Sequence, residues 1–304
     1  MIYHLFIIFS ILFSFQEKEN DHPFMVVLGV AQDAGYPQIA CKKECCQKYR
    51  DHKVPGQKVV SLGLFDPATN QKWIFEATPD FPEQLHEADK YMPGNLSGIF
   101  LTHAHIGHYT GLMYLGKEAM NAKEVPVYAM PEMQNFLKNN GPWNQLVSLK
   151  NIRLQKLKAD STIWLSDNIS VTPLLVPHRD EFSETVGYAI RVNNKTVLFI
   201  PDIDKWQKWE KDIRSLVSQY AYLFLDGSFY KDGELPGRNM AEIPHPFITE
   251  SMELFKDLPV TEKSKIWFIH FNHTNPLIDT VSKEYKEVKN RGFNVAAEGQ
   301  KIPF

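Results

Sequence analysis

Leu101-Thr102-His103-Ala104-His105-Ile106-Gly107-His108-Tyr109-Thr110-Gly111-Leu112 places three histidines within six residues, directly after the short apolar run Gly98–Thr102. In an extended chain, side chains two positions apart project to the same side. His103 and His105 can therefore grip one ion, while His108, arriving from the following turn, can face a second. A neutral imidazole offers one ring nitrogen, which suits Zn²⁺, Fe or Mn²⁺. A single histidine is more often packed or hydrogen-bonded, but three at this spacing point to a metal. Further histidines also fall at the ends of strand-like or loop segments, namely His178, His245, His270 and His273. Strand ends are where a rigid sheet can aim side chains into one crevice.

Around this stretch the pattern alternates strands and helices. Met25–Val30 reads as a buried strand, and Lys58–Phe65 with Lys72–Ala77 as a strand pair around Asp66-Pro67-Ala68-Thr69-Asn70. Phe81–Tyr91 has helical periodicity, and a helix starting near Thr110 is expected to carry Leu112, Met113 and Leu115 inward. Val125–Met130 reads as a strand followed by a helix over Pro131–Lys138, and Val171–Val176 as a strand leading to His178. Val186–Val192 and Thr196–Ile200 form a hairpin across Asn193-Asn194, ending at Asp202. Trp206–Tyr220 reads as helix, Ala221–Leu225 as strand, Phe247–Phe255 as helix and Ile266–Ile269 as a last core strand. Antiparallel hairpins mixed with strand–helix alternation predict an α/β (α+β) fold of mixed sheets with helices on their outer faces.

The chain has 304 residues, of which 43% are hydrophobic and 23% charged, enough apolar material for a single domain over residues 24–304. A net charge of −3, with basic residues alternating with acids as in Lys205–Asp212, gives no electrostatic case for a nucleic-acid partner. A small-molecule substrate is expected instead. The oligomeric state is left open, a homodimer being one possibility. Ile2–Phe15 is almost wholly apolar and then switches to Gln16-Glu17-Lys18-Glu19-Asn20-Asp21. It is too short to span a bilayer but suits the apolar region of a signal peptide over residues 1–20, and hence a secreted or periplasmic, envelope-associated protein. The alternative is a buried first element, since Lys and Arg are missing from its start. Nothing later in the sequence is apolar enough to span a membrane. The three cysteines all lie in Cys41-Lys42-Lys43-Glu44-Cys45-Cys46, too clustered for a disulfide framework, and a metal explains them better.

The histidine stretch resembles the His-x-His-x-Asp-His signature of the metallo-β-lactamase superfamily. Pro177-His178, Ile200-Pro201-Asp202 and Ile269-His270 follow in that family's order. The resemblance implies a four-layer αββα sandwich. It also implies one metal on His103, His105 and His178 and a second on His108 and His270, with Asp202 bridging. Asp80, in Glu76-Ala77-Thr78-Pro79-Asp80, would orient a ligand from behind, as would Asp226 at its strand end. A closer resemblance, through Gly29–Gln38, the cysteine cluster, Asp226-Gly227-Ser228-Phe229 and His270–Pro276, is to the branch containing pyrroloquinoline quinone biosynthesis protein B and the cyclic phosphodiesterase of phosphonate breakdown. That branch implies a structural Zn²⁺ on Cys41, Cys45, Cys46 and His273; the alternative is an unused thiol beside a core histidine. By order and context His245 matches a proton donor or phosphate binder, although a surface histidine between prolines fits the sequence equally well.

Together these imply a metal-dependent hydrolase with one or two active-site ions, Zn²⁺ or else Mn²⁺ or Fe. A metal lowers the pKa of bound water from about 15.7 towards about 7, giving a hydroxide nucleophile. Asp202 would orient it, and His245 would protonate the leaving group of a small phosphodiester or related ester. An oxidative role in cofactor maturation and a non-catalytic metal-binding role are the alternatives. One departure bears on all three: Gly107 stands where the family places an Asp, so the second ion is expected to keep only His108, His270 and the shared Asp202 and to bind weakly. Should another residue replace that Asp, Asp226 is the first candidate.

Overall fold

The computed structural model describes residues 22–304. The expected leader over residues 1–20 lies outside the described residues. Among the described residues, no helix is long and apolar enough to cross a membrane.

Six strands open the fold: β1 (Phe24–Gly29), β2 (Ser61–Asp66), β3 (Gln71–Phe75), β4 (Leu96–Phe100), β5 (Val125–Ala129) and β6 (Ile152–Lys156). They are followed by β7 (Ile163–Ser166), β8 (Ile169–Leu175), β9 (Val186–Val192), β10 (Lys195–Ile200), β11 (Tyr222–Asp226), β12 (Ile266–Ile269), β13 (Asn294–Val295) and β14 (Lys301–Pro303). They form two seven-stranded sheets, ordered β14-β1-β2-β3-β4-β5-β6 and β13-β12-β11-β10-β9-β8-β7. Each sheet starts as an antiparallel meander and turns parallel, from β3 onward in the first and from β10 onward in the second.

The strand periodicity of two explains how one sequence buries both faces of a sheet. In β1, Met25 and Val27 point into the core between the sheets, whereas Phe24, Val26 and Leu28 pack beneath helices. Trp73 and Phe75 of β3 face inward and Ile74 outward by the same rule. Helices Phe81–Tyr91, Pro131–Asn139 and Trp143–Ser148 cover the first sheet; Ile248–Leu254 and Lys283–Asn290 pack onto the second. The result is the four-layer αββα sandwich. Phe75 and Phe100 stack at 4.9 Å, and Tyr188 of the opposite sheet meets both edge-on at 5.5 and 5.6 Å. The Tyr188 hydroxyl donates to the Leu101 carbonyl, so the second sheet holds the end of β4 just before the histidines.

Two helical expectations need correction. From Thr110 the chain is a 3₁₀ helix, Thr110–Leu115, preceded by a single α turn, Ile106–Tyr109. With three residues per turn, Leu112 and Leu115 share the buried stripe and Met113 falls off it, 45% exposed. Trp206–Tyr220 is not one helix but three short pieces, Trp206–Lys208, Ile213–Leu216 and Val217–Gln219. The break follows from Asp212, whose carboxylate accepts from the Arg214 N–H at 2.9 Å and starts a new helix. Trp206, Trp209, Ile213 and Val217 are still buried as the periodicity implies.

Candidate metal centre

The candidate ligands gather at one edge of the sandwich because strand ends converge there. Glu76 follows β3, His103 follows β4, Asp202 follows β10, Asp226 ends β11 and His270 follows β12. Asp33 and His178 come from the loops after β1 and β8. Glu76 (φ 79°) and His270 (φ 68°) sit in the left-handed region, unfavourable for residues with a side chain, and both are fully buried. Such backbone persists only where its surroundings over-determine it, as at functional sites. For His270 the next residue is tied down, Phe271 N–H donating to the Val30 carbonyl at 2.7 Å.

His103, His105, His178 and Asp202 bring one ligand atom each to within 4.8 Å of one another. His103 Nε2 is 2.8 Å from His105 Nδ1 and 3.5 Å from Asp202 Oδ2; His178 Nε2 is 3.2 Å from the same oxygen. Ligands about 2.0–2.1 Å from a tetrahedral ion lie about 3.3 Å apart, so these spacings bracket a Zn²⁺ shell. The outward nitrogens are engaged, His103 Nδ1 with Thr102 Oγ1 at 2.9 Å and His105 Nε2 with the Glu181 carboxylate at 3.0 Å. That pairing is how metal-bound imidazoles are commonly oriented.

His108 and His270 form a second group, and the carboxylate beside them is Asp33. Asp33 Oδ1 lies 3.1 Å from His108 Nε2 and 3.9 Å from His270 Nε2. Asp202 Oδ2 is 3.9 Å from His108 Nε2, placing Asp202 between the two groups. Asp33, not Asp226, is thus the additional carboxylate within reach of His108; Asp226 instead falls within 4.8 Å of Asp202, His245 and His270. Both Asp226 oxygens are taken, Oδ1 by Ser228 N–H and Oγ–H, and Oδ2 by Ile203 N–H with His245 Nδ1 at 2.8 Å. Asp226 acts from behind: it fixes His245 directly, and fixes His270 through Ser228 Oγ, 2.8 Å from His270 Nδ1. Asp80 is also not where the resemblance put it. Its Oδ2 accepts from Val59 N–H at 2.8 Å, bracing the loop after β1, and the carboxylate near His108 is Glu76, with Oε1 3.5 Å from Nδ1.

His245 is buried, not a surface residue between prolines. Burial opposes its charge, but Asp226 and Asp202 outweigh burial and raise its pKa to about 9. Burial likewise works against an ionised Asp202, and the adjacent His178 and His245 nevertheless hold it well below the usual carboxylate range.

Outside this centre, Cys41, Cys45, Cys46 and His273 also bring their ligand atoms within 4.8 Å of one another. Cys41 Sγ and Cys45 Sγ are 4.0 Å apart, against about 3.8 Å expected for two sulfurs about 2.3 Å from a tetrahedral Zn²⁺. Burial pushes the Cys46 thiol up to about 12. Tyr36 Oη–H donates to the Cys45 carbonyl at 2.5 Å and steadies the cluster from below.

The donor set fits a metal on independent grounds. Of twelve buried side-chain N and O atoms without a hydrogen-bond partner among the described residues, eight belong to Asp33, Glu76, His108, His178, Asp202 and His270. Each such orphan costs about 1–3 kcal/mol, a cost that cations between the inward-facing atoms would offset. The centre borders a cleft of about 440 Å³ whose lining includes Lys43, Arg179, Arg238, Phe229, Asn272 and His245. Neither Lys43 nor the two arginines stood out in the sequence, because single basic residues carry no spacing signal.

Residues 64–271 match the family description "Beta-lactamase superfamily domain". Coenzyme PQQ synthesis protein B of Methylococcus capsulatus is 23% identical over 307 residues, covering 91% of this chain and 98% of its own. Its counterpart from Klebsiella pneumoniae is 26% identical over 310 residues, covering 92% and 97%. Among solved structures, Zn²⁺-bound PqqB from Methylobacterium extorquens matches with a TM-score of 0.78 at 21% identity, covering 92% of this chain and all of that one. A diphosphatase of the PhnP family matches with a TM-score of 0.65, also at 21% identity, covering 93% and 97%.

Proposed function

The chain belongs to the metallo-β-lactamase superfamily, and from that premise we propose that it is a metal-dependent hydrolase of small anionic phosphoesters. The observation that carries this reading is Asp202, set between two histidine groups beside a cleft lined by Lys43, Arg179 and Arg238. His103, His105 and His178 with Asp202 would hold one ion, and His108 and His270 with Asp202 a second; Zn²⁺ is the leading candidate, Mn²⁺ or Fe the alternatives. Ions in these positions supply Lewis-acid polarisation and a water acidic enough to ionise near neutral pH. The three basic side chains neutralise the charge of a bound phosphoryl group. Asp202 Oδ1, 3.2 Å from His245 Nδ1 but without a hydrogen bond, would orient the attacking water. His245 is held by Asp226 at Nδ1, which leaves Nε2 to give a proton to the departing alkoxide. The cleft volume favours a small substrate over a polymer.

Metal-reconstituted protein is expected to turn over a chromogenic phosphodiester faster than a carboxylic ester, giving a phosphomonoester and the free chromogenic alcohol. No turnover of any phosphoester with both ion groups filled would refute the reading. A second reading, a role in maturing a quinone cofactor, is favoured by the PQQ synthesis relatives, which align over nearly the whole chain. Oxygen uptake by iron-loaded protein, absent with Zn²⁺, would favour it. Full metal occupancy with neither activity would point to a non-catalytic metal-binding protein.

A further inference from the structure

Gly107 and Asp33 are one feature of this chain, seen from two sides. A Cβ on residue 107 would lie 2.4 Å from Asp33 Oδ1 and 2.5 Å from Asp33 Cα, closer than real Cβ contacts come. The glycine therefore leaves the space that the Asp33 carboxylate fills. Gly107 itself lies in the α turn Ile106–Tyr109 and has no left-handed φ, so it is not there for backbone freedom.

The loop that carries Asp33 is fixed at both flanks. Val30 and Ala31 donate their N–H groups to the Lys58 carbonyl at 2.9 Å each, and Gln32 N–H donates to the Phe271 carbonyl at 2.8 Å. Gly35, at φ +69°, then turns the chain, its N–H returning to the Gln32 carbonyl at 2.8 Å. Asp33 is thus locked to the residue that follows His270, with Oδ1 buried, aimed at two imidazole nitrogens and lacking a hydrogen-bond partner.

We propose that Asp33 is a ligand of the second ion, a carboxylate relocated from the histidine motif to the loop after β1, with Gly107 as its obligatory partner. The second group then reads Asp33, His108, His270 and the shared Asp202, a set with the anionic charge that Gly107 on its own would deny it. This inference rests on the metal-dependent reading above. It adds that the second ion is held tightly and that its carboxylate comes from outside the motif.

The test is metal content by elemental analysis and Zn²⁺ affinity by calorimetry on the full chain, for wild type, Asp33→Asn, Asp33→Ala and Gly107→Asp. Asp33→Asn keeps the shape of the loop and removes the charge, so it stays informative should the alanine variant misfold. Wild type is expected to hold two ions in the centre besides the one on the cysteines. Both Asp33 variants should lose one centre ion or bind it at least about tenfold more weakly, with the cysteine-bound ion retained. Gly107→Asp should lose the same ion despite its added carboxylate, because the new side chain displaces Asp33; combining it with Asp33→Gly should recover part of the affinity. Two equally tight centre ions in wild type and in Asp33→Asn would overturn the assignment and leave the hydrolase reading intact. A wild type with no centre ion would overturn both.

Discussion

Cys46→Ala separates a structural metal from a catalytic one. Cys46 is fully buried, packed with Ala31 and Tyr36 in a small core of its own, and within 4.8 Å of the other three donors. Removing one of four ligands from a closed Zn²⁺ site weakens binding by about 100-fold, and at saturating zinc that costs about 2.7 kcal/mol of folding free energy. Loss of the buried sulfur adds on the order of 1 kcal/mol of packing. For a domain of this size each kcal/mol moves Tm by about 2–4 °C, so a fall of about 7–15 °C is expected. The assay is differential scanning calorimetry with and without a strong chelator, alongside zinc content. Chelator strips the centre ions from both proteins, so both Tm values should fall, the wild type's by more, until the two differ only by the packing contribution. Because zinc binding must displace thiol protons, zinc should also be shed as pH falls. Equal falls in wild type and variant on adding chelator, or a variant that keeps its full zinc content, would refute the reasoning. The cluster would then be two half-buried thiols and one buried thiol beside a histidine, with no ion.

Three further outcomes follow from the geometry. His103→Ala or His105→Ala should remove the first ion and essentially all phosphoester turnover, and retention of both metal content and rate would show the ligand assignment to be wrong. His245→Gln should lower kcat by about 10²–10⁴-fold with KM and metal content little changed, the range for losing a general acid; a KM effect alone would make His245 a binding residue. Glu234 joins the loop after β11 to the His270–Asn275 segment by accepting from Tyr230 N–H and Thr274 Oγ1–H. Burial raises its pKa to about 7, above the value of about 4.5 in an unfolded chain. The folded state therefore binds this proton more tightly, and stability present below pH about 4.5 is lost as pH rises through about 7. The loss is on the order of 1–3 kcal/mol, so Glu234→Gln should flatten that part of the stability–pH curve. An unchanged slope in denaturant titrations from pH 4.5 to 8 would rule this out.

Much of the centre was legible before folding was considered. Ligation demands particular atoms, and His103, His105, His108, His178, Asp202 and His270 each stand directly after an apolar run or in the turn that follows one. Period-two alternation and runs buried on both faces likewise marked most strands of both sheets. The edge strands β6 and β7 escaped notice because Arg153, Gln155, Lys156 and Ser166 interrupt the apolar pattern where one side meets solvent. What only the tertiary structure decided are the residues whose roles come from distant pairing. Asp33, in Gln32-Asp33-Ala34-Gly35, looks like any aspartate in a turn. It becomes a neighbour of His108 and His270 only because Val30 and Gln32 pair with Phe271. Glu76 rather than Asp80 faces His108 because a left-handed residue after β3 swings that carboxylate inward. Local sequence specifies which atoms can bind and which faces are apolar, but ligands from separate strands meet only when sheet register brings their ends together. That register is set by the summed burial of the whole core, which no short motif contains.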